Sequence, residues 1–353
     1  MTGVRVPRGG GCRPSLVALM LLLAACGKDA RKSESATEGA PAAQSGAAHA
    51  PNAPPAAGEA QDAGVAARNG EEMRAGANPN EGTFAGATPK AIKSIGHTSV
   101  VFKVDFSNGQ RAAWKPRSKR GKTRYRGEVA AYRLAQELGL HYNVPIAFPI
   151  RIAREDLNKA AQGKDSALLE AELLGEPDGS VRGALIPWIP KLEFFPIESE
   201  KTRAEWERWL FSGADIPEKD RVIAGDISTV IAFDLITGNW DRFSGGNMGA
   251  NGPGGHLLFI DNDGAFFDPV PPGPLARQTA LLQRTERFSK SFVEALRKLD
   301  AGALARAIGD ESPGEPLLSP AVLQGVFARR TAVLAAIDKK IAAHGEPAVL
   351  FFP

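Results

Sequence analysis

Leu235-Ile-Thr-Gly-Asn-Trp-Asp-Arg-Phe-Ser-Gly-Gly-Asn247 and Leu257-Leu-Phe-Ile-Asp-Asn-Asp-Gly264 are the two stretches whose reading decides the fold. In the first, an apolar helical run meets the turn formers Gly238-Asn239, so Asp241 and Arg242 are delivered on a loop just past a helix end. A carboxylate placed there can orient a hydroxyl nucleophile and take its proton. Arg242 can brace that loop or contact phosphate oxygens. In the second stretch, an apolar strand ends in Asp261. Asn247 offers a neutral oxygen and Asp261 a charged one, a donor pair that suits a hard cation such as Mg²⁺ or Mn²⁺. Asp263 is a second candidate ligand, because Gly264 ends the strand before strict alternation turns Asp263 away. Asp261-Asn-Asp-Gly also opens like a calcium loop, but no Glu follows at the EF-hand spacing.

Working outward, phosphoryl chemistry needs a cation for the phosphates, a carboxylate to hold that cation, and a loop to cover them. Ser99-Val-Val-Phe-Lys-Val-Asp-Phe106 alternates as a strand, Ser107-Asn108-Gly109 signals a hairpin, and 110–115 is the return strand. The return strand carries Lys115. The next periodic segment, 125–139, reads as a helix stopped by Gly139, and it carries Glu128 in its first turns. A strand lysine and an early helix glutamate can pair across a cleft and present the ammonium to α- and β-phosphates. The turn Ile95-Gly96-His97-Thr98-Ser99 precedes the first strand, and Gly96, Thr98 and Ser99 are its candidates for approach to a phosphate. Val144–Ile152 reads as an edge strand because of its two prolines, and 183–190 as another short strand. Helical patterns follow at about 201–211, 218–237, 279–299 and 320–344. Trp206 and Trp209 fall on one helical face and read as core. The expected class is therefore α+β in two lobes, β-rich first and mainly helical second.

The first 25 residues read as a lipoprotein signal peptide: Arg5, Arg8 and Arg13, an apolar run from Leu16 to Leu23, then Leu23-Ala-Ala-Cys26. The Cys26 thiol is the expected acylation point for a palmitate-type chain, giving a lipid anchor. Gly27 is not Asp, so nothing argues for inner-membrane retention, and the outer membrane is the expected leaflet. Residues 26–88 comprise this cysteine and an Ala/Pro/Gly-rich linker too poor in large apolar side chains to offset its ordering entropy. Residues 89–353 read as one two-lobed domain, with an N-lobe over about 89–192 and a C-lobe over about 193–353. Of the two cysteines, Cys12 leaves with the signal and Cys26 carries lipid, so none is left for a disulfide, a thiolate nucleophile or a cysteine metal site. The chain has 43 basic and 40 acidic residues, and losing three arginines with the signal leaves 40 against 40. That balance gives no support for nucleic-acid binding.

Trp114-Lys-Pro116, the run Glu128–Leu140, Val144-Pro145, Asp234–Arg242 and Phe259-Ile-Asp-Asn262 together resemble the secretory-pathway kinases of the Golgi casein kinase family. They are more distantly similar to the phosphatidylinositol 3- and 4-kinases and the HipA-type kinases. The resemblance spans about 90–270. It implies a two-lobed protein-kinase-like fold, with 89–353 as the kinase-like domain, and an ATP-dependent phosphotransferase using Mg²⁺ or Mn²⁺, with Lys115 and Glu128 as the phosphate-anchoring pair, Asp241 as the catalytic carboxylate and Asp261 as the metal ligand. Phe243 stands where the family usually has His, and Asn247 lies six residues after Asp241 where the lipid kinases have five. The expected acceptor is a protein or glycan hydroxyl at the bacterial cell envelope, facing periplasm or cell surface, and the expected state is a monomer. The alternative is a pseudokinase, a lipid-anchored binding module without turnover. The lipid-anchor reading predicts that Cys26→Ser leaves the protein unprocessed or releases it from membranes. Fractionation with mass analysis of the mature N-terminus checks this, and normal processing with full membrane retention would contradict it.

Overall fold

The computed structural model describes residues 79–353 apart from His97 and Ser212. The signal peptide, Cys26 and the linker up to residue 78 lie outside the described residues. Helix α1 (Pro79–Phe84) lies inside the stretch expected to be linker up to 88. Phe84 is buried and packs edge-on against Phe106, with centroids 5.1 Å apart, so the packed part begins before residue 88.

Strand β1 (Pro89–Ser94) buries only Ile92 fully, and this explains why its pattern is weak in the sequence. Strand β2 (Phe102–Phe106) alternates as expected: Phe102, Val104 and Phe106 are buried. The hairpin at Ser107–Gly109 leads to β3 (Arg111–Pro116), with Phe102 opposite Trp114 and Asp105 opposite Arg111. Helix α2 (Tyr125–Glu137) follows, stopped by Gly139 at φ 75°. Strand β4 (Phe148–Ala153), the helices α3 (Arg154–Ala160) and α4 (Lys164–Glu172), and strand β5 (Ser180–Pro187) complete the lobe. The sheet order is β1-β2-β3-β5-β4, so the proline-bearing β4 is an edge strand, as its sequence requires. Helices α3 and α4 have short, weakly periodic sequences and were not anticipated.

After a crossover that pairs Phe195 N–H with the Met248 carbonyl at 2.9 Å, the chain becomes helical. Helix α5 (Glu200–Trp209) buries Trp206 and Trp209, as expected of core residues. Helix α6 (Arg221–Thr237) is buried on nearly every side from Ala224 onward, the mark of a central helix. It ends at Gly238 in the left-handed region, φ 68°. The two-residue strands β6 (Met248–Gly249) and β7 (Leu258–Phe259) pair antiparallel. The single helix expected over 279–299 is two: α7 (Pro272–Arg284) and α8 (Lys290–Lys298). The break has a tertiary cause. Phe288 exchanges backbone hydrogen bonds with Val349 and Phe352, and Glu286 N–H donates to the Leu210 carbonyl, so 285–289 runs extended. Helix α9 (Ala301–Ile308), the hairpin β8 (Asp310–Ser312) with β9 (Glu315–Pro316), α10 (Pro320–His344) and α11 (Glu346–Val349) follow. Helix α10 matches its expected bounds.

One buried carboxylate ties strand β7 to α6. Asp226 accepts from Leu257 N–H at 2.8 Å and Asn143 Nδ2 at 2.9 Å, and it pairs with His256 Nδ1 at 3.0 Å. The hydrogen bond from the His256 ring to the Asp226 carboxylate raises the His256 pKa above its ordinary value of 6.5, outweighing partial burial. A raised histidine pKa gives stability that is fully present below about pH 6.5 and is lost as pH rises through the folded-state value. The thermal midpoint of the wild type is therefore expected to fall more steeply above pH 6.5 than that of His256→Gln. Parallel curves for the two proteins would contradict this.

Candidate functional site

Arg242 builds the loop that carries Asp241. Its side chain is fully buried. Nε donates to Asp234 Oδ2 at 3.0 Å and Nη2 to Asp234 Oδ1 at 3.2 Å. Nη2 also donates to Asn262 Oδ1 at 2.6 Å, and Nη1 to the carbonyls of Asn247, at 2.5 Å, and Ile260. A guanidinium has five N–H donors, and all five are spent inside the protein. The reading in which Arg242 contacts phosphate oxygens is therefore overturned: no donor remains, and the group does not reach solvent. Its role is the brace.

That brace places Asn247. One nitrogen, Nη1, holds the carbonyls of residues 247 and 260 together, and Met248 pairs with Phe259. The Asn247 backbone is thereby held next to Ile260, the residue before Asp261. Its Nδ2 donates to the Asp241 carbonyl at 2.7 Å and to Ser244 Oγ at 3.2 Å. With both amide hydrogens committed, the oxygen Oδ1 is the atom left to accept or to ligate.

Lys115, on β3 opposite Ala184 of β5, is buried. Its Nζ bonds Glu128 Oε1 at 2.5 Å, bonds Asp261 Oδ1, and lies 3.6 Å from Asp263 Oδ2. The expected pair has formed, and two further carboxylates join it. Burial alone would lower the lysine pKa, but Glu128, Asp261 and Asp263 outweigh it and hold the ammonium charged well above its ordinary range. Burial raises Glu128 despite Lys115, and the two aspartates add to that rise. Burial acts in the same sense on Asp261, but Lys115 outweighs it, with help from Arg242 and Arg124, and holds Asp261 below the ordinary carboxylate range.

Asp261 sits in the left-handed region, φ 57°, which turns its side chain back over Lys115. Its side chain is 35 % exposed, against 7 % for Asp263. Asp263 Oδ1 takes Arg124 Nη2 at 2.6 Å, and its other oxygen faces Lys115. Asp263 thus has both oxygens on cations and little open surface, so it braces rather than ligates. Sequence reading gave Arg124 no role, because its partner is 139 residues away. Two glycines allow the close packing. A Cβ on Gly127 would sit 2.6 Å from the Asn262 carbonyl oxygen, and one on Gly264 would sit 2.9 Å from Asp241 Cβ. Helix α2, the Asp261 turn and the Asp241 loop are therefore in direct backbone contact.

The carboxylate of Asp241 makes no ion pair or hydrogen bond among the described residues. It lines a cavity of about 530 Å³ with Trp240, Phe243, Ser244, Glu198 and Arg277. The turn at Gly96 is less suited to phosphate than expected: its N–H donates to the Val101 carbonyl at 3.3 Å. Thr98 is exposed and Ser99 half-buried, and no ion pair or hydrogen bond among the described residues joins them to Lys115.

The charges fix what the cluster can accept. Lys115 and Arg124 face Glu128, Asp261 and Asp263, two cations against three carboxylates. A polyphosphate entering alone would add to an excess negative charge. Asp261 and Asn247 present hard oxygens and so fit a divalent cation that keeps most of its ligands from water and phosphate. Among the described residues no group of three His, Cys, Asp or Glu forms a closed metal site.

No known family profile matches this sequence, and no curated protein matches it significantly. Solved structures do match. The Golgi casein kinase with Mn/ADP bound superposes with a TM-score of 0.55 at 15 % identity, over 82 % of this chain and 79 % of that one. Hydra Fam20 with sugar superposes with a TM-score of 0.53 at 17 % identity, over 75 % and 89 %. The chain has the kinase-like fold.

The contact at Gly127 gives a direct check. Gly127→Ala is expected to cost about 1–3 kcal/mol, because the clash is with backbone that cannot rotate away. Gly273→Ala, which meets nothing within 4 Å, is expected to be neutral or slightly stabilising. Denaturant midpoints of the two variants measure the difference, and equal midpoints would show that the α2–Asp261 contact is loose.

Proposed function

We propose that this chain is an atypical kinase that transfers the γ-phosphoryl group of ATP to a hydroxyl of a protein or glycan, and that it works lipid-anchored outside the cytoplasm. The observation that carries the reading is the lysine gathered among three carboxylates, of which Asp261 is open, with Asp241 across the turn unpartnered among the described residues. The bound Mn/ADP of the Golgi casein kinase structure supports nucleotide and divalent metal as ligands. The acyl anchor on Cys26 and the envelope location rest on the sequence, and a hydroxyl acceptor on the open carboxylate of Asp241.

Asp261 and Asn247 would hold Mg²⁺ or Mn²⁺, which when bound neutralises phosphate charge. Lys115 trades part of its contact with Asp261 for α- and β-phosphate oxygens, while Glu128 keeps the ammonium aimed. The acceptor enters the cavity beside Asp241. Its oxygen forms a bond to the γ-phosphorus as the bond to the bridging oxygen of ADP breaks, and its proton passes to the Asp241 carboxylate. Arg242 acts only by holding Asp241, Asn247 and Asp261 in register.

The roles separate in binding and turnover. Asp241→Ala is expected to keep nucleotide affinity within a few-fold and lose about 10²–10⁴-fold in turnover. Asp261→Ala is expected to abolish metal-dependent nucleotide binding, and Lys115→Ala to lose binding and rate together. Thermal shift with Mn²⁺-ATP and ADP release measure the two quantities. A wild-type thermal shift without ADP formation would favour the binding-module alternative, and no shift at all would defeat the kinase reading.

A further inference from the structure

Helix α2 carries Glu128, and its N-cap residue, Arg124, makes no side-chain cap hydrogen bond. Its first N–H groups close only tight local turns, Arg126 N–H on the Thr123 carbonyl at 3.0 Å and Gly127 N–H on the Arg124 carbonyl at 2.9 Å. The side chains of its first two residues are held from the helical half of the chain. Glu311, on β8 and 4 % exposed at its side chain, accepts from Tyr125 Oη at 2.6 Å and pairs with Arg126 Nη2 at 2.6 Å. Tyr125 and Arg126 are the first two residues of α2. On the same helix face, two turns on, Arg133 Nη1 donates to the carbonyls of Ile308 and Asp310 at 2.6 and 2.7 Å.

The hairpin also reaches the strand beside Lys115. Glu315 on β9 takes both terminal nitrogens of Arg182, the Nη2 bond measuring 3.1 Å, and lies 3.5 Å from Arg151 Nη2. Arg182 stands on β5 two residues before Ala184, the register partner of Lys115. The β8–β9 hairpin therefore grips both elements that frame the Lys115–Glu128 pair, and it does so outside the cleft.

We propose that Glu311 is a positioning residue: the β8–β9 hairpin clasps the start of α2 and so keeps Glu128 on Lys115. Its consequence for catalysis rests on the kinase reading above; the clasp itself does not. The first turn of α2 has no side-chain cap, and Glu311 is the carboxylate that its first two side chains share, so removing it loosens the helix start. Glu128, in the next positions along, then loses its fixed distance to the lysine.

The test is hydrogen–deuterium exchange and amine labelling of Lys115 on the folded chain, wild type against Glu311→Ala, Glu311→Gln and Tyr125→Phe. Glu311→Ala is expected to speed exchange at the start of α2 about tenfold and to raise Lys115 labelling, with α10 unchanged. Glu311→Gln, which can still accept from Tyr125, is expected to recover part of the protection. Tyr125→Phe removes one donor only and gives a milder form of the same pattern, which keeps the test open if Glu311→Ala fails to fold. In the nucleotide arm, the Km for ATP is expected to rise about tenfold in Glu311→Ala, with a smaller change in kcat. Unchanged α2 exchange and labelling would overturn the proposal, and so would faster exchange spread evenly over the helical lobe. A wild type that binds no nucleotide would defeat the kinase reading while the exchange and labelling arms still decide the clasp.

Discussion

A buried guanidinium holds this structure's working parts together. Burying an isolated cation is costly by many kcal/mol, and Arg242 is tolerated only because a carboxylate and three further oxygen acceptors surround it. Those acceptors come from the last turns of α6, from the loop before β6, and from the residues on either side of Asp261. The electrostatic requirement of one side chain thus sets the relative positions of three segments that the chain brings in separately. Asp234 is the necessary counterpart: burial raises its pKa, and Arg242 opposes that rise.

Across the cleft the same logic works with opposite sign. Two cations face three carboxylates, and the closeness of those groups requires that helix and turn touch at backbone. Gly127 and Gly264 permit that contact because neither has a Cβ to place against it. The result is a lysine held charged and aimed, one aspartate closed off by Arg124, and one left open. The helix that supplies Glu128 is secured at its start by the opposite lobe. A lysine held rigidly and an open cavity beside Asp241 are what the phosphoryl transfer proposed above needs from its protein.

Much of this was legible in the residues themselves. Lys115 on a hairpin strand and Glu128 in the first turns of the next helix are tied to periodicities that the sequence states openly, and they meet as expected. Asp241 after Gly238-Asn239 and Asp261 at a strand end are local patterns too. What was not legible came from afar. Arg124 meets Asp263 across 139 residues, and Tyr125 meets Glu311 across 186. No local pattern announces such pairs. The same holds for the break at 285–289, where the hydrogen bonds that interrupt a helical sequence belong to the chain's last residues and to Leu210.

By itself, then, the sequence determined that a β-rich part precedes a helical one and which residue types can do chemistry, because turn formers and apolar periodicity act over a few residues. The tertiary structure decided which of the chemically capable residues are free. Arg242 and Asp263 have the right chemistry, but their donors and acceptors are consumed internally, whereas Asp241 keeps a carboxylate unpartnered among the described residues and Asp261 keeps open surface. Availability depends on the sum of contacts from every neighbouring segment, and only the folded chain brings those segments together.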